Sequence, residues 1–119
     1  MAREQSRTIR DKESGMDEIF GINAMKKLAQ KGNAGAQNYV GMAYDLGSGV
    51  GQDYDEAVKW YRMAAEQGHV DAQLRLGKLF GEGICIEQDF TEAAKWYRLA
   101  AEQGHTEAQQ ALRAFGHPG

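Results

Sequence analysis

The sequence DYDEAVKWYRMAAEQGH, at residues 53–69, returns as DFTEAAKWYRLAAEQGH at residues 89–105. Trp60 and Trp96 set the spacing between the two copies at 36 residues, and the same spacing returns an Ala-Gln pair at 36–37, 72–73 and 108–109. Such a period, with about half of the positions identical, is typical of proteins that repeat one structural unit. The sequence therefore predicts two full units, 34–69 and 70–105, between half-units at 17–33 and 106–116. Residues 1–16 are rich in charge and are expected to form a flexible polar tail.

Apolar side chains in the second part of each unit recur at helical spacing. In the first unit they are Tyr54, Ala57, Val58, Tyr61, Ala64 and Ala65. This spacing places them on one face of an α-helix. Asp53 precedes the helix with Glu56 three residues later, which predicts a capping box, and Gly68 predicts a left-handed helix end. The second unit repeats these signals at Asp89, Glu92 and Gly104.

The first part of each unit predicts a second amphipathic helix. Its apolar positions are Ala36, Val40, Ala43 and Tyr44 in one unit and Ala72, Leu76, Leu79 and Phe80 in the other. Gly41 and Gly77 fall in the middle of these helices, where glycine costs about 1 kcal/mol relative to alanine. We expect a close helix crossing to offset that cost. Each unit is thus predicted to be a helical hairpin, and stacked hairpins form an all-α solenoid.

The shared pattern of the two units resembles the Sel1-like repeat, a longer-looped relative of the tetratricopeptide repeat. The resemblance rests on Leu/Val-Gly-x-x-Tyr/Phe followed by Asp-x-x-x-Ala-x-x-Trp-Tyr-x-x-Ala-Ala-x-x-Gly. It implies a right-handed α-solenoid of antiparallel helix pairs. It also implies a non-catalytic adaptor or scaffold that binds a protein or peptide partner in its concave groove.

The resemblance further implies which residues face that groove, because the first helix of each pair lines it in the parent architecture. The positions that follow are Asn38, Met42 and Asp45, then Asp71, Leu74 and Lys78, then Gln110 and Ala114. Amide, carboxylate and ammonium groups could hold a peptide backbone or terminus, while Met42 and Leu74 supply adaptable apolar contact. The alternative is that these residues form an ordinary solvated face.

Composition excludes several other classes of partner. Fourteen basic and seventeen acidic side chains give a formal net charge of -3, whereas nucleic-acid binding usually needs a basic surplus. No apolar run reaches the roughly 20 residues that span a bilayer, and the first 20 residues lack the apolar core of a signal peptide. The expected location is therefore the cytoplasm, unless a leader has been removed. No cofactor is predicted.

Catalytic or metal chemistry finds little support in the residue pattern. Ser6, Ser14 and Ser48 match no nucleophile motif, and a single cysteine, Cys85, cannot form an intramolecular disulfide. His69 and His105 lie one repeat apart, about 8–10 Å, too far to share one ion, and are expected to be capping or surface residues. The two tryptophans are expected in the core with the indole N–H directed to solvent or a backbone carbonyl.

Two rival functions and one mode of assembly stay open. The chain could be a small β-lactam-binding or β-lactam-hydrolysing module, as the resemblance suggests for cysteine-rich relatives, although their cysteine pairing is missing here. It could also be a structural fragment of a longer solenoid. Leu112 and Phe115 are expected to have no following helix over them, which suggests homo-oligomers that form through the ends of the array.

Overall fold

The computed structural model of the chain describes residues 21–83 and 86–114. The first helix, α1, is described over 21–30. The others are α2 (Ala34–Leu46), α3 (Tyr54–Glu66), α4 (Val70–Glu82), α5 (Phe90–Glu102) and α6 (Thr106–Ala114). No strand occurs in this part of the chain. The predicted tail, Cys85 and Phe115 lie outside the described residues.

The helices pack in chain order as a linear array. Helix α2 packs on α3 and α4 packs on α5, while α3 on α4 and α5 on α6 join one pair to the next. Each pair is a hairpin whose apolar face is completed by its neighbour, which is the arrangement of an α-solenoid. The predicted all-α solenoid is confirmed. None of the described helices is long and apolar enough to cross a membrane.

The predicted capping residues begin α3 and α5. The Asp53 carboxylate accepts the Glu56 backbone N–H at 3.1 Å, and Asp89 accepts that of Glu92 at 3.0 Å. Both helices begin with acidic side chains at the positive end of the helix dipole. Gly68, just beyond α3, has the left-handed φ of +93° that the sequence predicts there.

In each hairpin the two helices cross where a glycine of the first helix faces a tyrosine ring of the second. A Cβ added to Gly41 of α2 would lie 2.7 Å from Cδ1 of Tyr61 in α3. A Cβ on Gly77 of α4 would lie 2.8 Å from the same atom of Tyr97 in α5. No side chain fits at either position, so the predicted close crossing is confirmed at both hairpins.

Successive hairpins are also joined by a ladder of glutamine side chains. Gln37 donates from Nε2 to the Ala29 carbonyl, and its Oε1 accepts Nε2 of Gln67, which also donates to the Gly32 carbonyl. One repeat later, the same bonds join Gln73 to Ala65 and Gln103 to Gln73 and Gly68. Because Gln37 and Gln73 are buried, these bonds satisfy amides that would otherwise be costly.

The tryptophans lie in the core, as the sequence predicts, with Trp60 and Trp96 both buried. The predicted partner of the indole is wrong for Trp96, whose N–H donates to the Glu92 carboxylate at 3.2 Å. Arg62 lies 3.3 Å from the same carboxylate oxygen. The indole N–H of Trp96 thus binds a carboxylate, which Arg62 of the preceding repeat also contacts, instead of solvent or a backbone carbonyl.

Candidate partner-binding surface

The predicted groove residues all lie on the first helix of a hairpin, namely α2, α4 or α6. Met42, Asp45 and Lys78 are partly exposed. Asp71, Gln110 and Ala114 are exposed, the last two on α6. These six side chains are accessible to a partner.

Asn38 and Leu74 occupy equivalent positions and are both buried, with 9% and 8% of their surface exposed. The Asn38 amide donates to Sδ of Met42 at 3.7 Å, and Leu74 belongs to the apolar cluster that contains Tyr97 and Ala108. The expectation that these two side chains face an open groove is therefore not met. Both side chains therefore lie beneath the accessible surface, and Leu74 packs with residues of α5 and α6.

Three apolar side chains on α2 form an exposed strip, which we call the α2 stripe: Tyr39, Met42 and Leu46. Tyr39 is 46% exposed and Leu46 is 64% exposed. Together with Ala43 and Ser48, the stripe lines a shallow depression of about 110 Å³. Tyr39 and Leu46 were not selected from the sequence, although their spacing from Met42, three residues before and four after, places all three on one helix face.

The surface changes character between α2 and α4. The positions of Tyr39, Met42 and Leu46 recur one repeat later as Arg75, Lys78 and Glu82. At these positions α2, the first helix of one hairpin, is therefore apolar, whereas α4, the first helix of the next hairpin, is charged. Such a difference between otherwise similar repeats is expected where recognition, rather than packing, determines the residues.

Two polar contacts fix side chains on this surface. The Tyr61 hydroxyl donates to the Asp45 carboxylate at 2.9 Å. Burial, then this hydrogen bond and the carboxylate charge, raise the pKa of Tyr61 well above its usual range, while the nearby Arg75 charge lowers it. Asp45 is therefore held in place by a proton donor that stays protonated throughout the physiological pH range.

The second contact is an ion pair between helices. Nζ of Lys78 on α4 lies 2.6 Å from the Glu107 carboxylate on α6. The hydrogen bond from Lys78 and then its charge lower the pKa of Glu107. Because both side chains are well exposed, the pair orients Lys78 more than it stabilises the fold.

His69 caps a helix, and Ser48 lines the depression beside the α2 stripe. Nδ1 of His69 accepts the Ala72 backbone N–H at 3.2 Å and caps α4, which confirms the capping interpretation for this residue. Ser48 is exposed in the loop after α2. Across 21–83 and 86–114, no three His, Cys, Asp or Glu side chains are grouped so that they could hold a metal ion.

The model of the family described as Sel1 repeat matches residues 34–69 and 70–105. The chain belongs to the Sel1 repeat family. Sel1 repeat proteins are generally scaffolds for protein interaction and generally non-catalytic, so the family supports the coarse function that the sequence predicts. No match was found among curated proteins.

Solved structures of two bacterial proteins resemble this Sel1 repeat chain. One is a Sel1 repeat protein from Oxalobacter formigenes, 41% identical with a TM-score of 0.77 over 81% of this chain and 40% of the other. The second is c5321 of uropathogenic Escherichia coli, a protective antigen displaying an SLR fold, 36% identical with a TM-score of 0.74. It is matched over 93% of this chain and 26% of its own length. The chain therefore spans less than half the length of either relative.

Proposed function

We propose that this chain is a non-catalytic adaptor that binds a protein or peptide partner across the accessible faces of α2, α4 and α6. We place the binding unit in residues 17–116, with the full repeats 34–69 and 70–105 as its centre. The proposal rests above all on one observation, the α2 stripe, in which two large exposed apolar side chains, Tyr39 and Leu46, lie on one helix face beside Met42. Exposed apolar side chains grouped together, rather than scattered, favour an interaction site.

The size of the depression beside the stripe favours a peptide side chain over a free small molecule. Its volume is about 110 Å³. Pockets that hold small ligands usually have about 300 Å³ or more. One aliphatic side chain of a partner, inserted between Tyr39 and Leu46, is the occupant that this space suits, and Met42 can adjust its shape to the inserted group.

The polar residues around the α2 stripe orient the bound partner. Asp45, fixed by Tyr61, is an acceptor for backbone or side-chain N–H groups of a partner. Lys78, oriented by Glu107, is a donor for partner carbonyls or carboxylates. Asp71, Gln110 and Ala114 form the rim in this proposal, and Asn38 and Leu74 hold α2 and α4 in place beneath it.

Selection from a library of random peptides displayed on phage tests the proposal. Peptides retained by the wild-type chain should share an aliphatic residue, and Leu46→Glu should lower their affinity by about tenfold or more, as truncation of an anchor residue does. Leu99→Glu is the matched control, because Leu99 is an exposed leucine of α5, outside the stripe. Equal loss in both variants, or no loss with Leu46→Glu, would place the binding surface elsewhere.

A further inference from the structure

The glutamine ladder has a third member on α6, Gln109, which we call its third rung. Gln109 donates a hydrogen bond as the other two do, but it accepts none from a side chain of the described residues. Gln109 donates to the Ala101 carbonyl at 3.2 Å, as Gln73 does to Ala65 one repeat earlier and Gln37 to Ala29 two repeats earlier. In those repeats the Oε1 of the same glutamine and the glycine carbonyl that precedes its helix together accept one side-chain amide, which follows the second helix of the same hairpin. At the third rung, the Oε1 of Gln109 and the carbonyl of Gly104 accept no side chain from the described residues. They form a ready pair of acceptors for one N–H-bearing group.

The other end of the array carries the matching donor. Lys31 follows α1 at the position that Gln67 and Gln103 occupy after α3 and α5. It is exposed, and its ammonium group has no partner among the described residues. An ammonium group has three donors, enough for both acceptors.

Helix α1 exposes apolar side chains at positions whose equivalents in α3 and α5 are buried. Leu28 is 44% exposed, whereas its equivalents Ala64 and Ala100 are completely buried. Ala24 is also exposed, although its equivalents Trp60 and Trp96 are buried. In α3 and α5 the tryptophan of this face packs with the first helix of its own hairpin, Trp60 with Val40 of α2 and Trp96 with Leu76 of α4. Among the described residues, no first helix packs on this face of α1.

We propose that a second copy of this chain supplies that helix, so that α6 of one copy packs against α1 of the next and Lys31 closes the third rung. The pairing is complementary in type, since α6 is the first helix of a hairpin and α1 the second. It is also complementary in charge. Residues 21–33 contain three lysines and no acid, whereas the docking point is the carboxyl end of α5, the negative end of its dipole, beside exposed Glu102.

One side chain distinguishes this contact from the hairpins within the chain. Helix α6 has Arg113 where α2 and α4 have Gly41 and Gly77. The facing helix changes in the opposite sense, because α1 has Ala24 and Met25 where α3 has a tryptophan and a tyrosine. In the proposed contact the long side chain therefore comes from α6, the first helix, and not from the second helix. We expect the two helix axes to lie further apart than at the glycine crossings.

A contact between the two different ends of identical chains does not close on itself as a twofold dimer does. Sedimentation equilibrium over micromolar to millimolar concentration should therefore show a mass that rises above the 13.2 kDa monomer and continues beyond a dimer. A constant monomer mass, or a plateau at the dimer, would overturn the proposal.

Variants of Lys31 test the donor itself. Lys31→Glu should weaken association by about tenfold or more, because it removes a charged hydrogen bond and opposes the carboxyl end of α5. Lys31→Gln, which restores the residue of the other rungs, should retain association. Lys59→Glu, an exposed charge reversal on α3, is the control and should leave association unchanged. Association that survives Lys31→Glu would contradict the site.

Zero-length cross-linking identifies the two surfaces independently. A mixture of ¹⁵N-labelled and unlabelled chains treated with a carbodiimide should yield mixed-isotope peptides that join Lys31 to Glu102. Mixed-isotope links confined to other pairs would show that the copies meet elsewhere. Far-ultraviolet circular dichroism on each variant confirms that the fold is intact.

Discussion

Replacing Gly77 by leucine should disrupt the crossing of α4 and α5 without touching any exposed surface. A Cβ at this position would lie 2.8 Å from both Cδ1 and Cε1 of Tyr97, and 3.0 Å from its Cγ. Ordinary contact begins near 3.4 Å, so even the first atom of a side chain displaces the ring or the helix. Tyr97 is only 6% exposed and is packed with Leu74, Ala93 and Ala108, which leaves the ring little room to move.

The expected loss is the difference between two opposing terms. Replacing a mid-helix glycine gains up to about 1 kcal/mol in helix propensity. Overpacking of a well-packed core usually costs about 1–3 kcal/mol, and more where backbone must shift. With leucine the second term should dominate by about 1–3 kcal/mol net, because three further carbons must be placed beyond the clashing Cβ. Alanine, with only the Cβ, should lose less. For a domain of this size, 1 kcal/mol corresponds to roughly 4 °C in Tm.

Thermal unfolding followed by circular dichroism measures this difference. Gly77→Leu should lower Tm by roughly 4–12 °C. Gly35→Ala is the control, since Gly35 lies in α2 with its nearest contact for a Cβ at 3.4 Å, and it should keep or raise Tm. If Gly77→Leu left Tm unchanged while Gly35→Ala raised it, Gly77 would not face Tyr97 and the helix register described above would be wrong.

Further predictions concern the polar contacts. Gln73→Ala should destabilise the fold by about 1–3 kcal/mol, since a buried glutamine loses two hydrogen bonds, one to the Ala65 carbonyl of the preceding hairpin and one from Gln103 of its own, and Gln109→Ala should cost less because only one bond is lost; equal losses by urea unfolding would contradict the role of the ladder. Asn38→Leu, the residue of the next repeat, should raise stability by about 1 kcal/mol by removing a buried Oδ1 that has no hydrogen-bond partner among the described residues, and a lower urea midpoint would show that the amide is satisfied. Burial, followed by the charges of Glu82 and Glu107, raises the pKa of Tyr97 from 10.0 to about 12. The unfolded chain therefore releases this proton first, so stability should fall as pH rises from 10 toward 12, and Tyr97→Phe should flatten that fall; an unaltered pH profile would contradict the burial of the hydroxyl. Lys78→Met should return the pKa of Glu107 toward its ordinary value, measurable by carboxyl NMR titration, whereas an unchanged titration would mean that the ion pair does not form in solution.

The helices were predictable because their signals are local and occur twice. Helical spacing, a capping aspartate and a terminal glycine all act within a few residues, so Asp53 and Gly68 could be assigned from the chain alone. The partner of Gly77 was predictable in kind for a similar reason. A mid-helix glycine in both repeats has few physical explanations other than a close crossing.

The surface was less predictable because it depends on how hairpins tilt against each other. Family resemblance assigns Asn38 and Leu74 to the groove, yet both side chains are buried in the structure. Leu46 was missed, although a leucine where the other unit has Glu82 departs from the repeat and was a usable signal. The bond between Gln37 and Gln67 joins residues 30 positions apart, and no local pattern identifies such a partner.

The central claim, that a partner binds the accessible faces of α2, α4 and α6 with the α2 stripe as its centre, is tested most directly by NMR. A peptide selected on the wild-type chain would be titrated into ¹⁵N-labelled protein and the amide shift changes mapped. We predict the largest changes at Tyr39, Met42 and Leu46, with smaller ones around Asp45 and Lys78. Changes centred on Met63 and Leu99, on the second helices of the hairpins, would contradict the account and assign recognition to the opposite face.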